Sequence, residues 1–466
     1  MEKWSQFLNG AQGTSTLSDK NQLGGYTDRF LSYYANGGYT YKDRYIINTS
    51  FRKDASNLFG VKSNDRGQPF WSVGGAWILT KEDFLRNSVF DFLKLRVTYG
   101  YNGNVNTSKS AFPIIEVQSD LQPITNQNYA FMMSPPNADL RWERVGTLNL
   151  GLDFSIKGGR LSGSIEHYRK KPKDLIILTN VDPTTGYSTL MVNGGNLDIK
   201  GWDISLNTKP LKFDDFEWSN NVVFSYNRSI VVQSSVEDQR GVSKISSSNY
   251  MMMTPVAGMD LFSQLTFKWA GLDPQTGEPQ GYVNGEVSKD YIAIYNSKTS
   301  DLENHGSLMP LYFGSFRNNF QYKSWELSCN ISYQLGHVFL RNTFTNDNFI
   351  ANKIGHADYS KRWQKPGDEL ITDVPAFTYP NNYYGSRFYM MSSALVEPAD
   401  QIKLRDIQFS YTFPMRKNTK FKNLRLYAYF QNIGTVWRAN KLGIDPEYGN
   451  SLPDPLSSSL GLSFNL

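Results

Sequence analysis

One cysteine, Cys329, stands in 466 residues, so no internal disulfide staples the chain. Histidine is nearly as scarce, and the four present, His167, His305, His337 and His356, lie far apart without metal-ligand spacing. No run approaches the roughly 18 consecutive apolar residues of a membrane helix. With a mean hydropathy of −0.47, that excludes a helical membrane protein. It does not exclude a barrel, whose strands alternate lipid-facing and lumen-facing residues and average out polar. Charge of one sign is missing too: 48 Lys and Arg are interleaved with 43 Asp and Glu, for a formal +5. Such a surface gives nucleic acid no footprint. There is no His-Glu-x-x-His helix, G-x-S-x-G elbow, P-loop or cysteine pair, so no catalytic centre or cofactor site is read here. Met1 to Leu23 is polar and mixed, without the apolar core of a signal peptide.

What the sequence does have is aromatics, 28 Tyr, 29 Phe and 10 Trp, together with 37 Gly, a mixture that favours strands and tight turns. Alternation is clearest from Trp325 to Leu335, where Trp325, Leu327, Cys329, Ile331, Tyr333 and Leu335 oppose Glu326, Ser328, Asn330, Ser332 and Gln334. Leu148 to Ile156 and Leu93 to Tyr99 read the same way. Further strands are expected near Phe30 to Tyr41, Arg44 to Asp54, Pro69 to Leu79, Arg160 to Lys171, Gly195 to Lys209 and Phe216 to Ser229. Others fall near Leu311 to Lys323, Asp400 to Phe413, Asn423 to Asn432 and Ser458 to Leu466. The set numbers roughly thirteen.

The connections fall into two kinds that alternate strictly. Short turns such as Tyr41 to Arg44, Lys157 to Arg160 and Tyr322 to Trp325 are separated by long links, among them Asn102 to Leu140, Pro172 to Gly194, Ile230 to Pro310 and Val338 to Ala399. An outer-membrane barrel has short periplasmic turns and long extracellular loops, so the fold class expected is all-β, an antiparallel transmembrane β-barrel. With the last strand running down to the periplasm, the first runs down from outside without its upward partner. The chain is therefore read as the C-terminal part of a large barrel: residues 1–26 are a remnant of an extracellular loop and residues 27–466 are barrel.

At this point a family likeness can be put on residues. YTYKDRYIINTSFRKDASNLFG at Tyr39 to Gly60, AGLDPQTGEPQGY at Ala270 to Tyr282, RWQKPGDE at Arg362 to Glu369, IKLRDIQFSYTFP at Ile402 to Pro414 and LRLYAYFQNIGTVWRANKLGIDPEYG at Leu424 to Gly449 resemble the barrel core of SusC/RagA TonB-dependent outer-membrane transporters. The resemblance implies the outer membrane as location and uptake of large nutrients, glycans or peptides. It also implies a SusD-like surface lipoprotein as partner and the TonB-ExbB-ExbD complex as energy source, with no bound cofactor and no enzymatic activity. In the family a plug and a TonB-engaging segment precede the barrel, and neither is recognisable here.

Two sets of residues stand out as candidates. Trp363, Tyr379, Tyr383, Tyr384, Arg387, Phe388 and Tyr389 gather in one expected extracellular loop, where flat rings beside amides and a guanidinium suit sugar faces or peptide side chains. Packing of the loop on itself explains the same rings. At the end of the sequence Leu460, Leu462, Phe464 and Leu466 make an apolar alternating strand, the kind of edge that assembly machinery recognises by strand pairing. A soluble secreted β-protein binding carbohydrate through its loops, or a β-rich hydrolase using Glu397 and Asp400 or Asp214 and Asp215, are the rival readings.

Overall fold

The computed structural model describes residues 29–56, 67–104, 111–118, 121–235, 245, 255–414, 423–449 and 451–465. The remnant expected over residues 1–26, the basic turn over 415–422 and Leu466 lie outside the described residues. Thirteen strands follow one another as an antiparallel meander: β1 Phe30–Tyr41, β2 Tyr45–Ser56, β3 Gly67–Ile78, β4 Phe90–Asn104, β5 Glu143–Ile156, β6 Leu161–Lys173, β7 Thr189–Lys212, β8 Phe216–Ser234, β9 Tyr312–Tyr322, β10 Trp325–Leu335, β11 Gln401–Phe413, β12 Asn423–Arg438 and β13 Ser457–Asn465. Every neighbour pair is sequential, and β1 and β13 end the sheet order without pairing to each other among the described residues.

Alternation fixes the two faces and the register then locks them together. A single row of partners runs Tyr41, Tyr45, Trp77, Leu95, Leu152, Ile165, Ile204, Phe224, from β1 to β8. Because side chains repeat every second residue, a one-residue slip in any strand would turn its apolar set into the lumen. Tyr33, Ile47, Val97, Leu150, Trp202, Leu327 and Leu462 of this face are all exposed. A soluble sheet cannot leave so wide an apolar face in water, which removes the soluble reading. Where amides do fall on that face they satisfy one another: Thr208 donates to Asn220 at 2.7 Å, and Asn220 and Trp218 donate to Asn318 at 3.3 and 3.2 Å.

Short turns cluster at one end. In the β1–β2 hairpin Lys42 and Asp43 both have positive φ, 49° and 55°, the geometry that a two-residue hairpin matched to strand twist requires. At the opposite end the described parts of the long links are folded, beyond what alternation indicates. Leu175–Asn180 pairs with Thr189–Gly195, so β7 starts before the expected Gly195 and the link from Pro172 is largely ribbon. The links after β8 and after β10 pack into one cap, joined by a parallel bridge between Phe267 and Ser392. Its core centres on Leu265, Phe267, Tyr291, Ile294 and Phe388.

Candidate functional site

The lumen face is lined by ion pairs that straddle adjacent strands. Arg96 of β4 donates to both oxygens of Asp153 on β5, at 2.8 and 2.9 Å, and to Glu166 on β6 at 2.8 Å. Arg317 of β9 reaches past β10 to Asp406 of β11 with two bonds of 3.0 Å. Arg425 of β12 reaches past Ser410 to Glu326 of β10 at 2.6 Å. Higher up, Lys403 is buried between Asp445 and Glu447, which ties the link after β12 onto the lumen side of β11. Each of these guanidiniums is matched by a carboxylate, so this wall is polar without carrying one sign.

At the mouth of the lumen lies a cleft of about 530 Å³ lined by Gln264, Met309, Gln334, His337, Arg341, Asn342 and Glu447. It continues, through Arg341, Asn342 and His356, into a second cleft of about 310 Å³ beside Thr343, Thr345 and Asn348. Arg341 donates to Asp358 at 2.7 Å, and its Nε lies 3.8 Å from Glu397, too far for a hydrogen bond. Burial pushes the Asp358 carboxyl up, but bonds from Lys361 and Arg341 outweigh it and hold the group below its ordinary value. Burial pushes His337 down, against the pull of Asp400 at 3.7 Å, so the ring is neutral at neutral pH. Between apolar walls that include Leu308, Val338, Phe339 and Ile444, the cleft thus presents amides, a neutral imidazole and charges of both signs, a lining that suits a long uncharged chain more than an ion.

The aromatic cluster expected in the link after β10 is split by a helix, Tyr383–Met390, capped by Asn382 on Gly385 N. Phe388 and Tyr389 point inward and are fully buried, Phe388 lying 6.2 Å from Trp269 in a stack. Trp363 is covered by Gly277, whose φ of 67° is left-handed and where a Cβ would lie 2.4 Å from the indole ring, so only glycine lets the backbone pack there. These three rings are occupied by packing. Tyr379, 81% exposed, with Tyr383 and Tyr384, presents open ring faces, and Arg387 lies over Tyr383 at 5.4 Å and donates to its hydroxyl. Below them burial pushes the Tyr295 hydroxyl up to about 12.

Leu460, Leu462 and Phe464 are set opposite Ala428, Leu426 and Leu424 on the apolar face of β13. Of the carboxylates considered for hydrolysis, Asp400 accepts from Gly336 N at 2.7 Å, Glu397 lies 3.8 Å from Arg341, and Asp215 sits 3.5 Å from Lys323 at a turn. Sequence reasoning missed Gln334, His337, Arg341 and Glu447, which no local pattern links; only the fold brings them together.

Residues 4–433 match the family described as TonB dependent receptor-like, beta-barrel. TonB-dependent receptor P26 of Formosa agariphila is 27% identical over 480 residues, 93% of this chain and 46% of that protein. TonB-dependent receptor SusC of Bacteroides thetaiotaomicron is 25% identical, over 93% of this chain and 43% of its own. Among solved structures, that of the RagAB peptide transporter superposes with a TM-score of 0.73 at 22% identity, over 93% of this chain and 47% of that one. The chain spans about half the length of the relatives it matches. On the family match, the meander and its two faces, the chain belongs to the TonB-dependent receptor β-barrels of the outer membrane, a family of transporters and not of enzymes.

Proposed function

We propose that this chain forms the wall and mouth of a SusC/RagA-type transporter that takes up large nutrients, oligosaccharides or peptides, with a SusD-like surface lipoprotein over its mouth. TonB-ExbB-ExbD supplies the energy through a part of the transporter beyond this barrel segment. The observation that carries the reading is the net-neutral, amide-bearing cleft at the mouth, open to a lumen wall of balanced ion pairs. Sugar hydroxyls and peptide amides both alternate donors with acceptors, and side-chain amides answer both. The RagAB structure is named as a peptide transporter, which favours this class of cargo over a metal chelate. The exposed Tyr379, Tyr383, Tyr384 and Arg387 extend the same surface outward, where rings stack on cargo before it enters.

The test is growth on single oligosaccharides or peptides by cells with and without the gene, then with Gln334→Leu and Asn342→Leu together. Loss of growth on one class with the gene deleted, and impaired growth with the double variant at normal surface level, is the expected pair of results. Equal growth on every source without the gene removes the transport reading; full growth with the double variant removes the cleft from it.

A further inference from the structure

The lipid-facing side of β6 to β8 carries an arrangement that transport does not use. Arg169 on β6, Lys200 on β7 and Arg228 on β8 stand directly opposite one another in the register, so three cations meet on neighbouring strands. Like charges placed across a ladder are destabilising unless something compensates them. Asp198 takes Arg169 at 2.9 and 2.6 Å, and Asp260 takes Arg228 at 2.9 and 3.0 Å. Lys200 has neither. It shares the field of Asp198 with Lys171, while Lys173 stands exposed farther along β6. Positive charge is therefore in excess on a surface that faces lipid.

The level of this patch follows from the next row toward the periplasm, two residues along each strand. There His167, Trp202, Tyr226 and Tyr312 are register partners, with His167 to Trp202 ring centres 4.5 Å apart and Tyr226 to Tyr312 5.1 Å apart. Such amphipathic rings mark the boundary of a barrel's apolar band. Counting from Leu161 at the short-turn end of β6, a tilted strand uses about 9–11 residues to cross the hydrocarbon, which brings Arg169 and Lys171 to the headgroups. Below that boundary the apolar row through Ile165 and Ile204 takes over.

We propose that Lys171, Lys173 and Lys200, framed by Arg169 and Arg228, form a binding site for the anionic, phosphate-bearing headgroup of an outer-leaflet lipid. An ammonium suits a phosphate as a point charge, the pairing works at the water boundary where screening is incomplete, and the aromatic row beneath holds the acyl chains' upper end. The inference rests on the outer-membrane placement of the family and not on what the transporter carries. Lys170, one residue along but on the lumen face over Tyr168, is the internal control.

The experiment extracts the transporter from outer membranes in mild detergent and counts retained phosphate-bearing lipid A by native mass spectrometry, then repeats the count after exchange into phosphatidylcholine vesicles with or without lipid A. Wild type is expected to retain lipid A and to recover it only from vesicles containing lipid A. Lys171→Ala, Lys173→Ala and Lys200→Ala combined should lose retention about tenfold, the equivalent of 1.4 kcal/mol, with Lys170→Ala unchanged and heat-modifiable migration intact in both. Equal retention by the triple variant, equal loss by Lys170→Ala, or displacement of the lipid by inorganic phosphate as the preferred ligand overturns the proposal. Should the triple variant fail to fold, Lys200→Gln alone gives the reading. Uptake that is unaffected by the triple variant leaves the transport reading standing either way.

Discussion

Arg317 and Asp406 meet by two parallel bonds of 3.0 Å across the lumen face of β10, and Asn330 on that strand donates to the same carboxylate at 3.2 Å. Asp406 is 5% exposed while the Arg317 side chain is about a third open to the lumen. The carboxylate is therefore the partner that cannot fall back on water. Arg317→Leu should cost about 1–3 kcal/mol, the penalty of leaving a buried acceptor short of donors. The double change Arg317→Leu with Asp406→Leu should cost less than Arg317→Leu alone, because no charge is left behind. Urea midpoints of the transporter in vesicles measure both, and equal costs for single and double changes would show that the pair contributes nothing specific.

The strands of this wall were legible because alternation of period two over about ten residues survives any average composition. Leu175–Asn180 escaped for the converse reason: Leu-Ile-Ile-Leu has no alternation, so a run that pairs outside the barrel's band looks like a loop. The aromatic cluster is legible in the sequence but its sorting is not, since only the packed helix Tyr383–Met390 encloses Phe388 and leaves Tyr383 and Tyr384 of its first turn half open. His337 and Arg341 were unreadable as a pair with Glu447, being joined by chain closure over a hundred residues and not by any local pattern.

The two faces of β9 and β10 should respond oppositely to charge. Ile331 and, on β5, Leu152 lie in the apolar face, and Leu462 continues it on β13. Ile331→Arg or Leu152→Arg should cost about 2–4 kcal/mol near the midplane, and Leu462→Arg less as it approaches the boundary. Asn319→Arg, on the lumen face opposite Ser328, should cost little. Asn330→Arg should fall between, because it sets a second cation against Arg317 for one carboxylate. Folding yields into vesicles rank the five; a penalty for Asn319→Arg equal to that for Ile331→Arg contradicts the assignment of faces.

The cap should loosen in acid. Burial holds His337 below its ordinary value of 6.5, so the folded state favours the neutral ring; its stabilising contribution is present above the unfolded pKa and is lost as pH falls through the folded one. His305, also pushed down by burial, adds to the same slope. Protease protection of the cap should therefore decline as pH drops below about 6.5, and His337→Gln should flatten that decline without abolishing it. A decline that steepens in His337→Gln would contradict the sign.

The last test separates packing from capture within one helix. Phe388 is fully buried against Phe267, Tyr291 and Trp269, so Phe388→Ala removes a ring from a closed core and should cost about 3–5 kcal/mol, read as proteolysis of the cap. Tyr383 and Tyr384, roughly half exposed and 5.5 Å apart, stand in the first turn of the same helix with Arg387 over the first ring. Replacing these three by alanine removes their contacts with one another and, toward the core, the edge contact of Tyr384 with Tyr295 and the interaction of Arg387 with the same ring, but no ring of the closed core itself. The cap should stay resistant to protease. If the open rings hold cargo, binding of the oligosaccharide or peptide that the growth test selects should weaken, because a stacked ring contributes about 0.5–1.5 kcal/mol beyond its area. Unchanged affinity with an intact cap would assign all of these rings to the fold, and weakened affinity with a protease-sensitive cap would show that Tyr384 belongs to the core after all.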